Sequence, residues 1–564
     1  MKSKGTRLAA ALLSVLLLSS FSACQTTESN VQSNGENSNT VSSSESEATQ
    51  DTDPWDGSFP ISEETLNISI FAPLSSKAAD SVVSYDELIA FQELEKRLNV
   101  DIEWRHPPIG KENDQFSLMI ASRDLPDLIY SDWLKYAGGP EKAISDKIII
   151  PLNDLYTENS VYLRKIYEEY PAVYKCSITD TGNLYAVQNI VNTKLSEDTI
   201  WSECTSGPQY RKDWAEKVGY TKTPQTMDDW YELLTLFKEN DCNGNGDPND
   251  EIPLIDSNSK GLKYFYPAFG ILKGFYMEGD QVSHCTLSEN FKSFVETMRK
   301  WYAEGLLDPD YISTDSNAFQ AKVTGDIAGA YIGSMDGNFG QFTKLMEDHP
   351  TFELAGAPWP MGTAPDHYTE QSGLKQPTGT YSMAITTANQ NPELSFRFLD
   401  ACFEDSIAEV LNFGVEGVSY EKENDTIKLT QELIDESEDK AVDLVLSSYA
   451  IAGTDDTFPT IRLQQQINAI RRSEVQNELA KTWMTGEDCT KLIMPPITPS
   501  VEESAEIADI LSQVNTYMDE MVNKFIMNQA DMSEWDGFIE NIKKMGIERA
   551  VEIENQALER YNNR

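Results

Sequence analysis

Basic side chains are scarce in this 564-residue sequence: 45 Lys and Arg stand against 92 Asp and Glu, for a formal net charge of -47. That imbalance excludes nucleic acid as a partner, because phosphate binding needs a basic face with counterions to release. An anionic membrane surface repels the folded part for the same reason. The four histidines, His106, His284, His349 and His367, are scattered without metal-ligand spacing. The sequence lacks a G-x-S-x-G elbow, an H-E-x-x-H helix and a phosphate-binding Gly loop, so the chemistries those motifs carry are not signalled. Two-carboxylate glycoside hydrolysis stays open, since 92 acids always offer candidate pairs. Hydrophobic residues make up 40% of the chain and aromatic residues 10%, enough for a packed core. The length corresponds to about two to four domains.

No run of apolar residues is long enough to cross about 30 Å of hydrocarbon as a helix. The run nearest to one, Leu8 to Leu18 interrupted by Ser14, follows Lys2, Lys4 and Arg7. A basic segment, a short apolar segment and then small residues read as a secretory signal over residues 1–23. Phe21-Ser22-Ala23-Cys24 resembles a bacterial lipobox, in which cleavage before Cys24 leaves its thiol to carry a diacylglycerol. Phe21 stands where Leu is usual, and the alternative is an ordinary cleaved signal with an incidental cysteine. Two acyl chains on one residue anchor stably. Residues 24–57 are Ser, Thr, Asn, Glu and Asp with almost no large apolar side chain. They read as a flexible tether, because such a composition cannot offset the entropy of ordering.

Alternating apolar residues at Leu66, Ile68 and Ile70 predict a strand, and Leu88, Phe91, Leu94 and Leu98 share one helical face. Ile102 and Trp104 open a second strand, and Asp127-Leu128-Ile129-Tyr130 a third. A strand, a helix and a strand in succession point to a parallel α/β sheet. Thr226 with Asp229 forms a capping-box start, followed by Trp230, Leu233, Leu234 and Phe237 on one face. Ser500 with Glu503 starts another helix whose apolar stripe runs from Ile507 to Phe525, read as packing surface. Two terminal helices follow, separated by Gly546. Apart from Cys24, six cysteines lie at 176, 204, 242, 285, 402 and 489, and disulfides and free buried thiols fit equally.

The strongest local chemistry lies in Asp241-Cys242-Asn243-Gly244-Asn245-Gly246-Asp247-Pro248-Asn249-Asp250-Glu251. Oxygen side chains at the first, third and fifth places, with Gly at the sixth, suit a hard cation in an EF-hand-like loop. The candidate calcium ligands are Asp241, Asn243, Asn245 and Asp247. Ile252 occupies the twelfth place, so Asp250 or Glu251 must close the cage, and Pro253 discourages an exit helix. A metal-free Asn/Gly-rich turn is the alternative.

Tyr210-Arg211-Lys212-Asp213-Trp214, the run Pro224 to Asp229 and the loop together resemble one family. It is the large extracellular solute-binding lipoproteins of ABC importers, the oligosaccharide-binding group that includes alginate-binding proteins and lipoprotein LplA. Ala121 to Asp127, Glu304 to Pro309, Gly414 to Val418 with Tyr420, and Gly546-Ile547-Glu548-Arg549 to Arg560-Tyr561 also match, so the resemblance spans about residues 60–564. Relatives usually have one residue fewer between the loop's Gly and its Asp-Glu pair.

The resemblance implies a two-lobed α/β fold of the periplasmic-binding-protein-like type II, with a hinge and a ligand cleft between lobes. The expected lobes are 58–188 with 355–425, and 189–354 with 426–564. It further implies a monomeric, non-enzymatic receptor, lipid-anchored outside the bacterial membrane, that delivers an oligosaccharide to permease subunits. By position, the expected ligand-binding residues are Asp132 and Trp133 in the first lobe, Tyr210 and Arg211 in the second, and Trp359 and Tyr381 near a later crossover. Each aromatic has a core-packing alternative. A lipid-anchored carbohydrate-active enzyme, an adhesin, and a receptor for a peptide or other solute are the competing readings.

Overall fold

The computed structural model describes residues 55–191, 204–247, 249–256, 261–371, 377–423, 426–437, 442–451, 458–463, 465–466 and 474–564. Cys24, the signal segment and nearly all of the tether lie outside the described residues. Nine strands build the two larger sheets among the described residues: β1 (Leu66–Phe71), β2 (Val100–Arg105), β3 (Leu128–Ser131), β4 (Val187–Ile190), β5 (Ser206–Arg211), β6 (Ile252–Leu254), β7 (Ala328–Ser334), β8 (Leu354–Gly356) and β9 (Thr378–Ile385). The first sheet has the order β2-β1-β3-β9-β4 and the second β8-β5-β7-β6.

In the first sheet, β1 pairs parallel with β2 and β3, as the alternation and the intervening helix α1 (Ile89–Leu98) require. The sheet is not all-parallel, however. β9 enters from far along the chain and runs antiparallel to both β3 and β4. Local pattern specifies a strand but not the direction in which a distant partner arrives. In the second sheet, β5 runs antiparallel to β7, and β6 parallel to it.

Each sheet has its own core. Leu66, Ile70, Phe91, Leu94, Met383, Phe396 and Leu411 belong to the first, and Tyr210, Trp230, Phe237, Phe294 and Phe525 to the second. The chain leaves the first core after Ile190, returns by Met383, and leaves again after Leu463. Ala357, Ala364 and Tyr368 pack with the second core, and Ile427, Phe458 and Ile461 with the first. Trp55, at the end of the segment read as tether, also packs into the first core.

Helix α2 (Pro171–Ser177) belongs to the first body, and α3 (Met227–Glu239) carries the expected capping box between Thr226 and Asp229. The second body adds α4 (Glu289–Ala303), α5 (Glu474–Trp483), α6 (Val501–Ile526), α7 (Trp535–Lys544) and α8 (Ile547–Asn562). Ser500 and Glu503 form the second capping box, and Gly546 takes φ 99°, the left-handed turn that separates the last two helices.

An ionic junction ties the two bodies together. Arg560 Nε donates to Asp180 Oδ2 at 2.5 Å, and Arg564 pairs with Asp180 Oδ1. Arg564 Nη1 also donates to the carbonyls of Ile178 and Lys175 at 2.7 and 3.0 Å, beside the carboxyl end of α2. Glu503 holds Arg560 from the other side at 2.5 Å.

Candidate functional site

The residues expected to meet ligand separate into two groups. Asp132 stands just past the carboxyl end of β3, nearly buried, with Oδ2 2.7 Å from Lys135 Nζ. Its Oδ1 has no hydrogen-bond partner among the described residues. Tyr381 is half-buried on β9 with its ring 5.7 Å from that of Tyr130. Antiparallel pairing of Ser382 with Ser131 puts Tyr381 at the same edge of the sheet as Asp132.

Trp133, Tyr210, Arg211 and Trp359 occupy interior positions. Trp133 is fully buried and its Nε1 donates to the Ser382 carbonyl at 3.1 Å. Tyr210 packs edge-on against Trp230. Arg211 is 1% exposed, bonded to Asp213 at 2.7 and 2.8 Å and paired with Asp326, between the rings of Trp214 and Phe352. A guanidinium so committed bonds a new partner only by giving up these. Trp359 has no exposed surface, and its ring lies 5.6 Å from Tyr264.

Tyr264 leads to the feature that sequence position missed. A cavity of about 380 Å3 opens at the carboxyl ends of β6 and β7, lined by Asp256, Tyr264, Gln320, Ser334, Asn338 and Gln341 with flanking Phe319 and Phe342. Open α/β sheets bind ligands at that end of their strands. Past β7 the chain forms a single π-helical turn, Met335–Gly340, a geometry often found at functional sites. The turn brings Asn338 Oδ1 back to accept from Ser334 N at 2.8 Å and Ser334 Oγ at 3.0 Å. Its Nδ2 has no protein partner among the described residues, and neither Gln320 nor Gln341 makes a side-chain hydrogen bond among them. Asp256 accepts from the backbone N–H of Gly261 and Leu262 at 2.5 and 3.2 Å. Burial, reinforced by the Glu370 carboxylate, pushes the Tyr264 phenol up to about 12.

The Asp241 loop lies before β6, at the opposite end of that strand. Asp241 Oδ1 and Oδ2 accept from Gly244 N (2.7 Å) and Gly246 N (3.0 Å), and both glycines have positive φ. Asn245 Nδ2 donates to Asp250 Oδ2 at 2.6 Å, and Asn243 Nδ2 reaches the Asp326 carbonyl at 3.1 Å. Asp247 Oδ1 accepts from Asn249 N at 3.1 Å. Glu251 is 2% exposed; its Oε1 accepts from Cys242 N at 2.6 Å, while Oε2 has no partner among the described residues. Burial pushes this carboxyl above its usual range. Among the described residues, no three His, Cys, Asp or Glu side chains converge tightly enough to hold a metal as they stand. The six described cysteines are all buried, and none forms a disulfide among the described residues.

Comparison with known proteins identifies this architecture. The family model for bacterial extracellular solute-binding proteins matches residues 79–409. This chain belongs to that family. A curated relative, the fructooligosaccharide ABC transporter substrate-binding protein FusA of Streptococcus pneumoniae, is 26% identical over 538 residues, covering 89% of this chain and 92% of FusA. The polygalacturonan/rhamnogalacturonan-binding protein YtcQ of Bacillus subtilis is 22% identical, covering 60% of this chain and 64% of its own. Among solved structures, S. pneumoniae FusA in complex with kestose aligns at TM-score 0.68 and 22% identity, over 89% of this chain and 100% of that one. Alginate-binding protein AlgQ2 without calcium ion aligns at TM-score 0.68 and 20% identity, over 88% and 99%. The fold is thus that of a two-lobed, periplasmic-binding-protein-like solute-binding protein.

Within this solute-binding protein, the rule that singled out Asp132 also finds part of the missed cavity. Asp256 and Ser334 are likewise polar residues at the carboxyl ends of strands. Asn338, in the π-helical turn, and Gln341, at the start of the helix that follows it, lie beyond the strand end and carry no such signal.

Proposed function

We propose that this chain is the substrate-binding component of an ABC importer, capturing an oligosaccharide between its lobes and delivering it to a membrane permease. The observation that carries this reading is the cavity beside β6 and β7, where an aromatic ring and uncommitted amides meet. A sugar presents apolar ring faces and hydroxyls that both donate and accept, and Tyr264 with the amides of Gln320, Asn338 and Gln341 complements both. Asp132 and Tyr381 supply the first lobe's wall, and a ligand touching both walls favours the closed state. The FusA relative, similar along nearly its whole length, supports the same reading. Calorimetry and solution scattering with a glycan panel test it. Saturable binding with compaction and no new products on chromatography is expected; product formation makes the protein an enzyme instead.

In this reading Cys24 carries the lipid that holds a monomeric receptor at the outer face of the cell membrane. The Asp241 loop supports a structural calcium ion. Its donors are all oxygens, from Asp241, Asn243, Asn245, Asp247 and Asp250, and the buried, unpartnered Glu251 Oε2 suits a hard cation. When bound, calcium supplies charge balance for these acids and braces the entry to β6. Adding calcium at about 100 times its Kd should stabilise the protein by about 2.7 kcal/mol. Thermal melts should show that gain in the wild type and not in Asp241→Ala.

A further inference from the structure

Resting on the reading that the cavity takes a sugar, we infer that it selects an uncharged segment of oligosaccharide and discriminates against uronates. Three observations carry this. First, the groups left to meet a ligand are neutral amides: Gln320 and Gln341 make no side-chain bond among the described residues, and Asn338 Nδ2 has no partner among them. An amide offers both N–H donors and a carbonyl acceptor, which matches a hydroxyl, whereas a carboxylate can only accept and leaves the amide oxygens facing a like dipole.

Second, the only ionic side chain among the described lining residues is the carboxylate of Asp256. It is 4% exposed and held by two backbone N–H groups. Gly261 makes that seat possible, because a Cβ there would stand 2.4 Å from Asp256 Oδ1. An incoming uronate would meet a fixed like charge in a partly desolvated cavity, where screening is weak. Among the described residues, Lys263, beside Tyr264 in sequence, is paired with Glu370 at 2.9 Å. On the first lobe, Lys135 is likewise paired, with Asp132.

Third, the aromatic surface is placed for an uncharged ring. Tyr264 is half-buried, backed by Trp359 at 5.6 Å, and lines the cavity together with Phe319 and Phe342. Stacking on a sugar face is favoured by burial of C–H groups and does not require charge.

Calorimetry on the full secreted chain separates this inference from the reading beneath it. The probes are neutral tri- and tetrasaccharides of fructose, glucose, galactose and mannose, with trigalacturonate and trimannuronate. At least one neutral oligomer should bind, at least tenfold more tightly than either uronate. Gln320→Ala and Gln341→Ala should each weaken it about fivefold with an unchanged melting temperature, since neither side chain bonds to the described fold. Tyr264→Ala should weaken it more than Tyr264→Phe. Equal or tighter uronate binding, or neutral binding indifferent to the glutamine and tyrosine substitutions, overturns the selectivity while leaving the receptor reading intact. Binding of none of these probes overturns the receptor reading itself.

Discussion

Arg211 and Trp483 show how much a single position depends on what surrounds it. Arg211 is enclosed by two acids and two aromatic rings. Replacing it with Met leaves Asp213 and Asp326 without their cation, so the variant should lose about 3 kcal/mol in urea unfolding while glycan affinity is preserved. Trp483 lies against two glycines: a Cβ on Gly207 would stand 2.4 Å from its ring, and one on Gly356 would stand 2.0 Å from Leu479. Gly207→Ala should therefore cost about 1–3 kcal/mol through forced repacking, read as a lowered melting temperature. Neither effect was legible in the sequence. Chain position suggests Arg211 and Trp359 for ligand contact, and the fold buries both; long-range partners decide burial, and chain position does not reveal it.

At the scale of elements, local signals were reliable where they were self-contained. The capping boxes at Thr226 and Ser500 formed as written, since donor and acceptor lie three residues apart. Pro253 and the β-branched residues around it turned the Asp241 loop into strand β6 instead of a helix. Helix α8 adds a pH dependence that its sequence does not announce. Glu554 is 8% exposed, and burial, with the nearby Glu503 charge, pushes its carboxyl up to about 7. The folded protein thus holds a proton there that the unfolded chain releases near its ordinary, lower value. Between about pH 4.5 and 7 the native state binds more protons, so this group's contribution falls as pH rises. Glu554→Gln should remove a penalty on the order of 3 kcal/mol at pH 8 and little at pH 4.5, seen as a flatter dependence of unfolding free energy on pH.

For the whole molecule, the junction at Asp180 joins the body carrying α8 to the one carrying α2. Both carboxylate oxygens of Asp180 are held by arginines, and its side chain is 6% exposed. Asp180→Asn keeps the shape but leaves Arg560 and Arg564 without that charge. Scattering of the ligand-free variant should show a larger radius of gyration than the wild type, and glycan affinity should fall several-fold. An unchanged radius with only a lower melting point would confine the junction to local stability.

The sequence by itself determined the acidic composition, the first strands and helices, the helix caps and the oxygen-rich loop. All of these follow from composition or from interactions a few residues apart. Tertiary structure alone decided that β9 runs antiparallel into the first sheet, that Trp133 and Trp359 face inward, and that Asn338 and Gln341 line a cavity with Tyr264. Those outcomes depend on contacts between segments tens to hundreds of residues apart, and no local pattern encodes which distant surface a side chain will meet.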